Sequence, residues 1–249
     1  MVLLYIPPVQ NLLRREVTAY ASKATGMQIQ VERIDLRFPL NLLVRGVEVI
    51  QQPDTLLSLE SLNVRVQAWP LLKGKVEVDE VTLSQVAVNS ANLIEGMQIK
   101  GVLGRFFLQS HGVDLSNETA VVNRTELSDT HIQLLMTDTT TTPKDTTASA
   151  PVNWKVNLHQ LKLKNVSFGM KLPADSMKMA AYIGEATIDD AKADLKNQFY
   201  GLKQFLLSGA SASYDTGEAQ PSEGFDASHM AVRNIRIGLD SLLYEGRNM

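Results

Sequence analysis

The chain has 249 residues, 44% of them hydrophobic and 20% charged, with a formal net charge of -3; this is the composition of a folded globular chain and excludes intrinsic disorder. The slight acidity leaves no cationic footprint for a phosphate backbone, which excludes nucleic acid as a partner. Cysteine is absent, so disulfide frameworks, thiolate metal sites and thiol nucleophiles are excluded while the redox compartment stays open.

No run in the sequence nears the ~20 apolar residues of a membrane span. The chain opens Met1-Val2-Leu3-Leu4-Tyr5-Ile6-Pro7-Pro8, without the charged n-region or small-residue cleavage site of a signal peptide. Two readings stay open: the stump of a longer membrane segment, or a short hydrophobic strand or staple ahead of a helix. From Pro8 to Ala24, the residues Val9, Leu12, Leu13, Val17, Tyr20, Ala21 and Ala24 recur at steps of three and four. That spacing predicts an amphipathic helix, with Arg14, Arg15 and Lys23 off the stripe. Pro7 and Pro8 suit its start and Gly26 its left-handed stop, so residues 1–26 form a first, membrane-proximal unit.

Beyond Gly26 the period changes to two. One pattern, apolar-x-apolar-x-x-apolar-x-apolar, recurs as Ile29, Val31, Ile34, Leu36; as Leu57, Leu59, Leu62, Val64; and as Val76, Val78, Val81, Leu83. It returns as Val156, Leu158, Leu161, Leu163, then Ile183, Ala186, Ile188, and finally Met230, Val232, Ile235, Ile237. Alternation puts every second side chain on one sheet face, and a step of three reverses that phase unless an extra residue is absorbed. A bulge or corner at each polar pair is therefore expected, at Glu32-Arg33, Glu60-Ser61, Asp79-Glu80, His159-Gln160 and Arg233-Asn234. Turn signals stand at Arg45-Gly46, Gln52-Pro53-Asp54, Lys73-Gly74, His111-Gly112, Pro173-Ala174-Asp175 and Ser208-Gly209. They predict meandering hairpins. The Thr-rich stretch 137–151 and the stretch Asp215 to Gly224 have nothing to bury and read as exposed loops. Because the strand pattern resumes after 151, residues 27–249 are read as one continuous sheet.

Such a sheet has one apolar face and a single helix to cover it. Exposed apolar patches beyond roughly a few hundred Å² mark binding surfaces, so the sheet must fold into a sandwich, close into a barrel or curl into a groove. The repeated corners favour an elongated, curled antiparallel sheet, a β-groove lined by aliphatic side chains that suit acyl chains. The lining expected is Ile34, Leu36, Leu59, Leu62, Val64, Val76, Val78, Val81, Leu83, Leu158, Leu161, Leu163, Ile235 and Ile237. If each half-motif is a strand, about 12 to 14 strands in series give a trough on the order of 60 Å long. A sandwich core without ligand is the plain alternative.

Chemistry is sparse. His111, His131, His159 and His229 lie far apart, none with a second ligand at metal spacing, and read as solvent or turn histidines. Ser110 and His111 are adjacent in a strand pattern and so point to opposite faces, which rules against a nucleophile and base pair. The acid pairs Asp79-Glu80 and Asp189-Asp190 fall on corners of the strand pattern, where solvation explains them without glycoside hydrolysis or metal binding. Gly101, Gly104 and Gly112 lack phosphate-loop spacing. No cofactor is implied and no enzyme is expected.

Taken in order, LLYIPPVQNLL, VERIDLRFPLNLLVRGVEV, LLSLESLNVRVQAWPLLKGKVEVDEVTLSQVAVN, MQIKGVLGRFFLQSHGVDL, NWKVNLHQLKLKNVSFGM and IRIGLDSLLY resemble the N-terminal region of AsmA-like proteins, in particular the TamB (translocation and assembly module) branch of Bacteroidetes type. The PLLKGKVEVDEVTL element is the most characteristic. The resemblance implies an inner-membrane anchor just upstream of Tyr5, a periplasmic β-groove continuing beyond Met249, and a role in outer-membrane biogenesis. It also implies that the groove carries phospholipid between membranes. An Omp85-type outer-membrane partner would be met through a C-terminal region absent here. The competing reading is a scaffold that binds proteins during outer-membrane translocation and assembly, with exposed strand edges as templates.

Overall fold

The computed structural model describes residues 7–67, 77–91, 93–94, 96–114, 118–136, 153–173, 176–218 and 223–245. One helix, α1 (Pro7–Thr25), precedes twelve strands: β1 (Gln28–Arg37), β2 (Asn41–Gln51), β3 (Asp54–Val66), β4 (Val78–Asn89), β5 (Met97–Asp114), β6 (Thr119–Met136), β7 (Lys155–Leu172), β8 (Met177–Asp194), β9 (Phe199–Leu202), β10 (Gln204–Asp215), β11 (His229–Leu239) and β12 (Leu242–Glu245). They form a single sheet that does not close. Its order is β1-β2-β3-β4-β5-β6-β7-β8-β10-β11, with β9 beside β8 and β12 beside β9.

Two of these strands are halves of others. β9 and β10 keep one register against β8, with Gly201 opposite Lys192 and Gln204 opposite Asp189. β12 and β11 likewise continue one register, Leu242 opposite Leu202 and Leu239 opposite Phe205. The sheet is thus ten strands wide, about 43 Å at ~4.8 Å per step. That is shorter than the half-motif count predicts, because each eight-residue motif runs along one strand and does not turn back.

All neighbouring strands are antiparallel except β6 and β7, which are parallel, Thr119 lying opposite Lys155 and Leu135 opposite Lys171. A period of two has no direction, so a meander and a parallel return leave the same imprint on the sequence. The whole Thr-rich stretch 137–151 lies outside the described residues, as do Lys73-Gly74 and Val76.

The polar pairs within the motifs mark phase reversals. On β1 and β2, Val31 faces Val47 and Arg33 faces Arg45, and the level between them, Glu32 and Gly46, forms no ladder pair. The same unpaired level recurs across the sheet at Glu60, Gln85, Gly104, Asp129, Asn165 and Gly184. It ends at Gly209 on β10 and Asn234 on β11. Positive φ at this level is found for Gly46, Gln85, Asp129, Asn165, Gly209 and Asn234. A left-handed residue turns two successive side chains to one side and resets the alternation. Since every strand carries the unpaired residue at one level, the registers on its two sides agree from β1 to β8, and the result is a crease across the sheet. Three of the expected turns are corrected accordingly. Arg45-Gly46 and Ser208-Gly209 sit inside β2 and β10 on this crease, and His111-Gly112 lies inside β5 at a register shift. Glycine answers a need for positive φ in mid-strand as readily as in a turn.

A second crease crosses the longer strands at Asn123, His159 and Asp190, again between ladder pairs. Asp190 has positive φ. Lys203, which divides β9 from β10, donates its backbone N–H to Asp189 O at 3.1 Å and continues this line. Close approach limits the residues on the first crease. A Cβ on Gly104 would stand 2.7 Å from the Asp129 Cβ and 2.9 Å from its carbonyl oxygen.

Candidate functional site

Directly opposed residues share a sheet face, so the registers can be read as rows running across the strands. Just beyond the first crease one row is Ile34, Val44, Leu62, Leu83, Phe106, Leu127, Leu163, Ala186, Leu207 and Ile237. All ten are apolar. Two residues further on, Leu36, Leu42, Val64, Val81, Leu108, Thr125, Leu161, Ile188, Phe205 and Leu239 form a second row with a single polar member. On the other side of the crease run Val31, Val47, Leu59, Val86, Leu103, Thr130, Val166 and Ile183, joined by Ala210 and Ile235. A fourth row begins Ile29, Val49, Leu57 and ends Ala181, Ala212, Val232.

The intervening positions are different in kind. Arg45, Ser61, Ser84, Arg105, Ser128, Lys164 and Glu185 form one such row, and Asn41, Arg65, Glu80, Gln109, Arg124, Gln160 and Asp189 another. One face is thus aliphatic for the width of the sheet, and the other is polar and ion-paired, as between Arg65 and Glu80 at 3.3 Å.

The aliphatic face is not covered. Among the described residues only Ile34, Leu56, Ala120, Ala186 and Ala210 are buried hydrophobics, and no side chain is fully buried. Phe168, Val232 and Ile237 are 40%, 53% and 41% exposed. A sandwich or barrel core would have buried these rows. The expected lining falls on them: Ile34, Leu62, Leu83, Leu163 and Ile237 in the first, Leu36, Val64, Val81 and Leu161 in the second, Leu59 and Ile235 in the third. Leu158 lies past the second crease between Val122 and Ala191, and Val78 lies opposite Val66. Val76 is outside the described residues.

The helix does not lie over this face. It runs along the outer edge of β1, where Gln10 Nε2 donates to Leu36 O at 2.9 Å and Arg14 donates to Val31 O at 3.3 Å and Glu32 O at 2.9 Å. Ser22 Oγ accepts the Ile29 N–H at 3.0 Å. Gln10, Arg14 and Ser22 recur at four-residue steps on one helix face, so this polar stripe occupies the edge groups that would otherwise recruit another strand. Of the apolar stripe, Leu12 and Tyr20 are left 53% and 76% exposed. No helix among the described residues is long and apolar enough to cross a membrane.

The groups with catalytic chemistry lie elsewhere. Ser110 is buried in β5 and donates its hydroxyl to Val78 O, while His111 is exposed beside it. Asp189 accepts from Gln160 Nε2 at 3.1 Å, and Asp190 faces His159 at 3.1 Å and Lys203 at 3.7 Å. The His159 hydrogen bond and the Lys203 ammonium hold the Asp190 carboxyl below its ordinary range. The Asn197 backbone N–H does the same for Asp194.

One constellation was hidden by the parallel pairing. His131 and Ser167 are directly opposed on β6 and β7, with Nδ1 to Oγ at 2.6 Å, and Gln133 Nε2 donates to His131 Nε2 at 2.8 Å. Both ring nitrogens of His131 are thus engaged, and which of them donates depends on the tautomer. Among the described residues no group of three or more His, Cys, Asp or Glu is placed to hold a metal ion.

The fold and this face define a protein class: an open, unclosed β-sheet, creased along two lines, with an uncovered aliphatic face. No family model and no curated protein sequence matches the chain.

Proposed function

We propose that the chain is a non-catalytic lipid-binding trough of the bacterial envelope, holding the acyl chains of phospholipid or a similar lipid against its aliphatic face. The observation that carries this reading is the set of ten-strand apolar rows with almost no buried side chains. Uncovered apolar surface of that extent is a binding surface, and a face of Val, Leu, Ile, Ala and Met without directional polar groups selects hydrocarbon by area alone. With the sequence resemblance, it supports assignment to the AsmA-like, TamB type. The chain would then be the first section of a longer periplasmic protein, anchored in the inner membrane and acting in outer-membrane biogenesis with an Omp85-type partner.

Native mass spectrometry of the chain purified from membranes, with extraction of bound lipid, tests the reading. Phospholipid adducts are expected. A lipid-free chain that takes up no fluorescent fatty acid refutes it. A second reading, a scaffold for outer-membrane proteins in transit, is favoured by one observation: the sheet order ends at β11, whereas the opposite edge is occupied by α1. A photocrosslinker at Leu83, on the aliphatic face, is expected to capture lipid. Capture of unfolded outer-membrane protein at Arg236 on β11, with no lipid at Leu83, would favour the scaffold.

A further inference from the structure

The two edges of the sheet are not alike. The outer side of β1 is taken by α1 through Gln10, Arg14 and Ser22, whereas among the described residues nothing pairs with the outer side of β11 or β12. An exposed edge is normally guarded by proline, by a charge pointing into the apolar face or by shortness. Here β11 and β12 run from His229 to Glu245 without proline, and their positions on the aliphatic face are Met230, Val232, Ile235, Ile237, Leu239, Leu242 and Tyr244. Tyr244 belongs to that face because it lies opposite Tyr200, Tyr200 opposite Ala193, and Ala193 opposite Val156 of the strand motif. Leu242 and Tyr244 are 49% and 56% exposed.

The spacing along this edge is palindromic about Ile237. Ile235 and Leu239 stand two residues from it, Val232 and Leu242 five, Met230 and Tyr244 seven. The polar pairs Arg233-Asn234 and Asp240-Ser241, where the two creases reach the edge, both stand at three and four. A two-fold axis through an antiparallel strand pair sets each residue opposite its mirror position. Two copies of this edge joined at Ile237 therefore match aliphatic residue to aliphatic residue and crease to crease. On the polar face Arg236 meets Gly238, Arg233 meets Ser241 and Asn234 meets Asp240, so no cation is set directly opposite a cation. Asp240 of one copy also falls diagonal to Arg236 of the other. Shifting the axis breaks the match: centring on Arg236 opposes two guanidiniums, centring on Gly238 sets Asn234 against Leu242, and centring on Ile235 sets Arg233 against Ile237.

We infer that the β11–β12 edge is a self-complementary interface at which a second copy of this chain adds antiparallel, continuing the sheet across a two-fold axis at Ile237. Because α1 occupies the far edge of each copy, the pair is closed and does not grow into a filament. The inference concerns the edge alone and stands whether or not the aliphatic face holds lipid. Analytical ultracentrifugation of the full chain is expected to show a monomer–dimer equilibrium. The chain has no cysteine, so single cysteines report the register. Ile237→Cys meets itself on the axis and should give a disulfide-linked dimer under mild oxidation. Leu207→Cys, one strand in and directly opposite Ile237, should not, whereas two copies stacked face to face would link through both. Ile237→Lys opposes two ammonium groups and should weaken dimerisation on the order of tenfold, while Leu207→Lys, on the same face, should leave it unchanged. Circular dichroism establishes that each variant is folded. A chain monomeric at every concentration, assembly past the dimer, equal linking by the two cysteines, or a dimer indifferent to Ile237→Lys overturns the interface.

Discussion

Val81→Glu separates an open trough from a closed core. Val81 sits in mid-sheet on β4, between Val64 on β3 and Leu108 on β5, and is only partly buried. Full burial of such a side chain contributes about 1.5 to 3 kcal/mol, so losing the partial burial here should cost about 1 kcal/mol. The glutamate carboxylate can still reach water along an open face. In a closed core the same change would strand an unpaired charge and cost more than about 4 kcal/mol. If the proposed function holds, bound lipid meets that carboxylate where hydrocarbon should be. Displacing two methylenes at ~0.8 kcal/mol each weakens binding about 15-fold. Thr82→Glu is the control, because the next residue points to the polar face between Asn63 and Phe107. Urea denaturation gives the stability change, and displacement of a fluorescent fatty acid gives the affinity. A stability loss above about 4 kcal/mol, or equal weakening by Thr82→Glu, would refute the open trough.

The first crease predicts opposite outcomes for two changes. Gly104→Ala pushes a Cβ into the Asp129 backbone and should cost about 2 kcal/mol, while Gln85→Gly relieves a positive φ and should stabilise by up to about 1 kcal/mol; thermal or urea melts check both. Arg14→Ala removes two bonds to the β1 edge. It should cost about 1 kcal/mol and make the chain associate with rising concentration in analytical ultracentrifugation, since a bared edge pairs. His159→Ala should raise the Asp190 carboxyl towards its ordinary value of 3.8, followed by carboxyl NMR. Because the folded value lies below 3.8, the stabilisation is complete above that pH and is lost as the pH falls through the lower folded value. An unchanged Asp190 titration in that variant would show that His159 is not the cause.

The alternation was legible because one face of the sheet is apolar across its width: eleven of the described residues expected in the lining lie on the apolar rows, while Leu158 and Val78 lie outside them. The steps of three were legible too, but their meaning was only half so. Glu32-Arg33 and Glu60-Ser61 announce a reversal of phase, yet nothing local says that ten strands place it at one level. That alignment follows from pairing. Glycine misled at Gly46 and Gly209 because a turn and a crease ask for the same backbone angles. The parallel β6–β7 pair was invisible for a similar reason, and with it went the His131–Ser167 contact. The helix was legible as a helix, but its role was not. Its apolar stripe suggested a lid, whereas Gln10, Arg14 and Ser22 attach it to an edge.

An aliphatic face this wide raises the question of why the sheet does not collapse on itself. The creases bear on the answer. Gly104 and Gly184 lie against neighbouring backbone, and a Cβ on Gly184 would be 3.1 Å from the carbonyl oxygens of Ser208 and Gly209, so the strands there are fixed at close approach. On the polar side the same lines are tied by Asn165 Nδ2 donating to Asp129 Oδ1 at 2.7 Å, and by His159, Asp190 and Lys203 in succession. Folding the sheet further to bury its rows would require moving these contacts, strand after strand, at one level. Holding the face open forgoes hydrophobic stabilisation worth about 0.025 kcal/mol per Å² left in water. That same unrealised burial is left available to a ligand, which is the physical basis of the hydrocarbon binding proposed above.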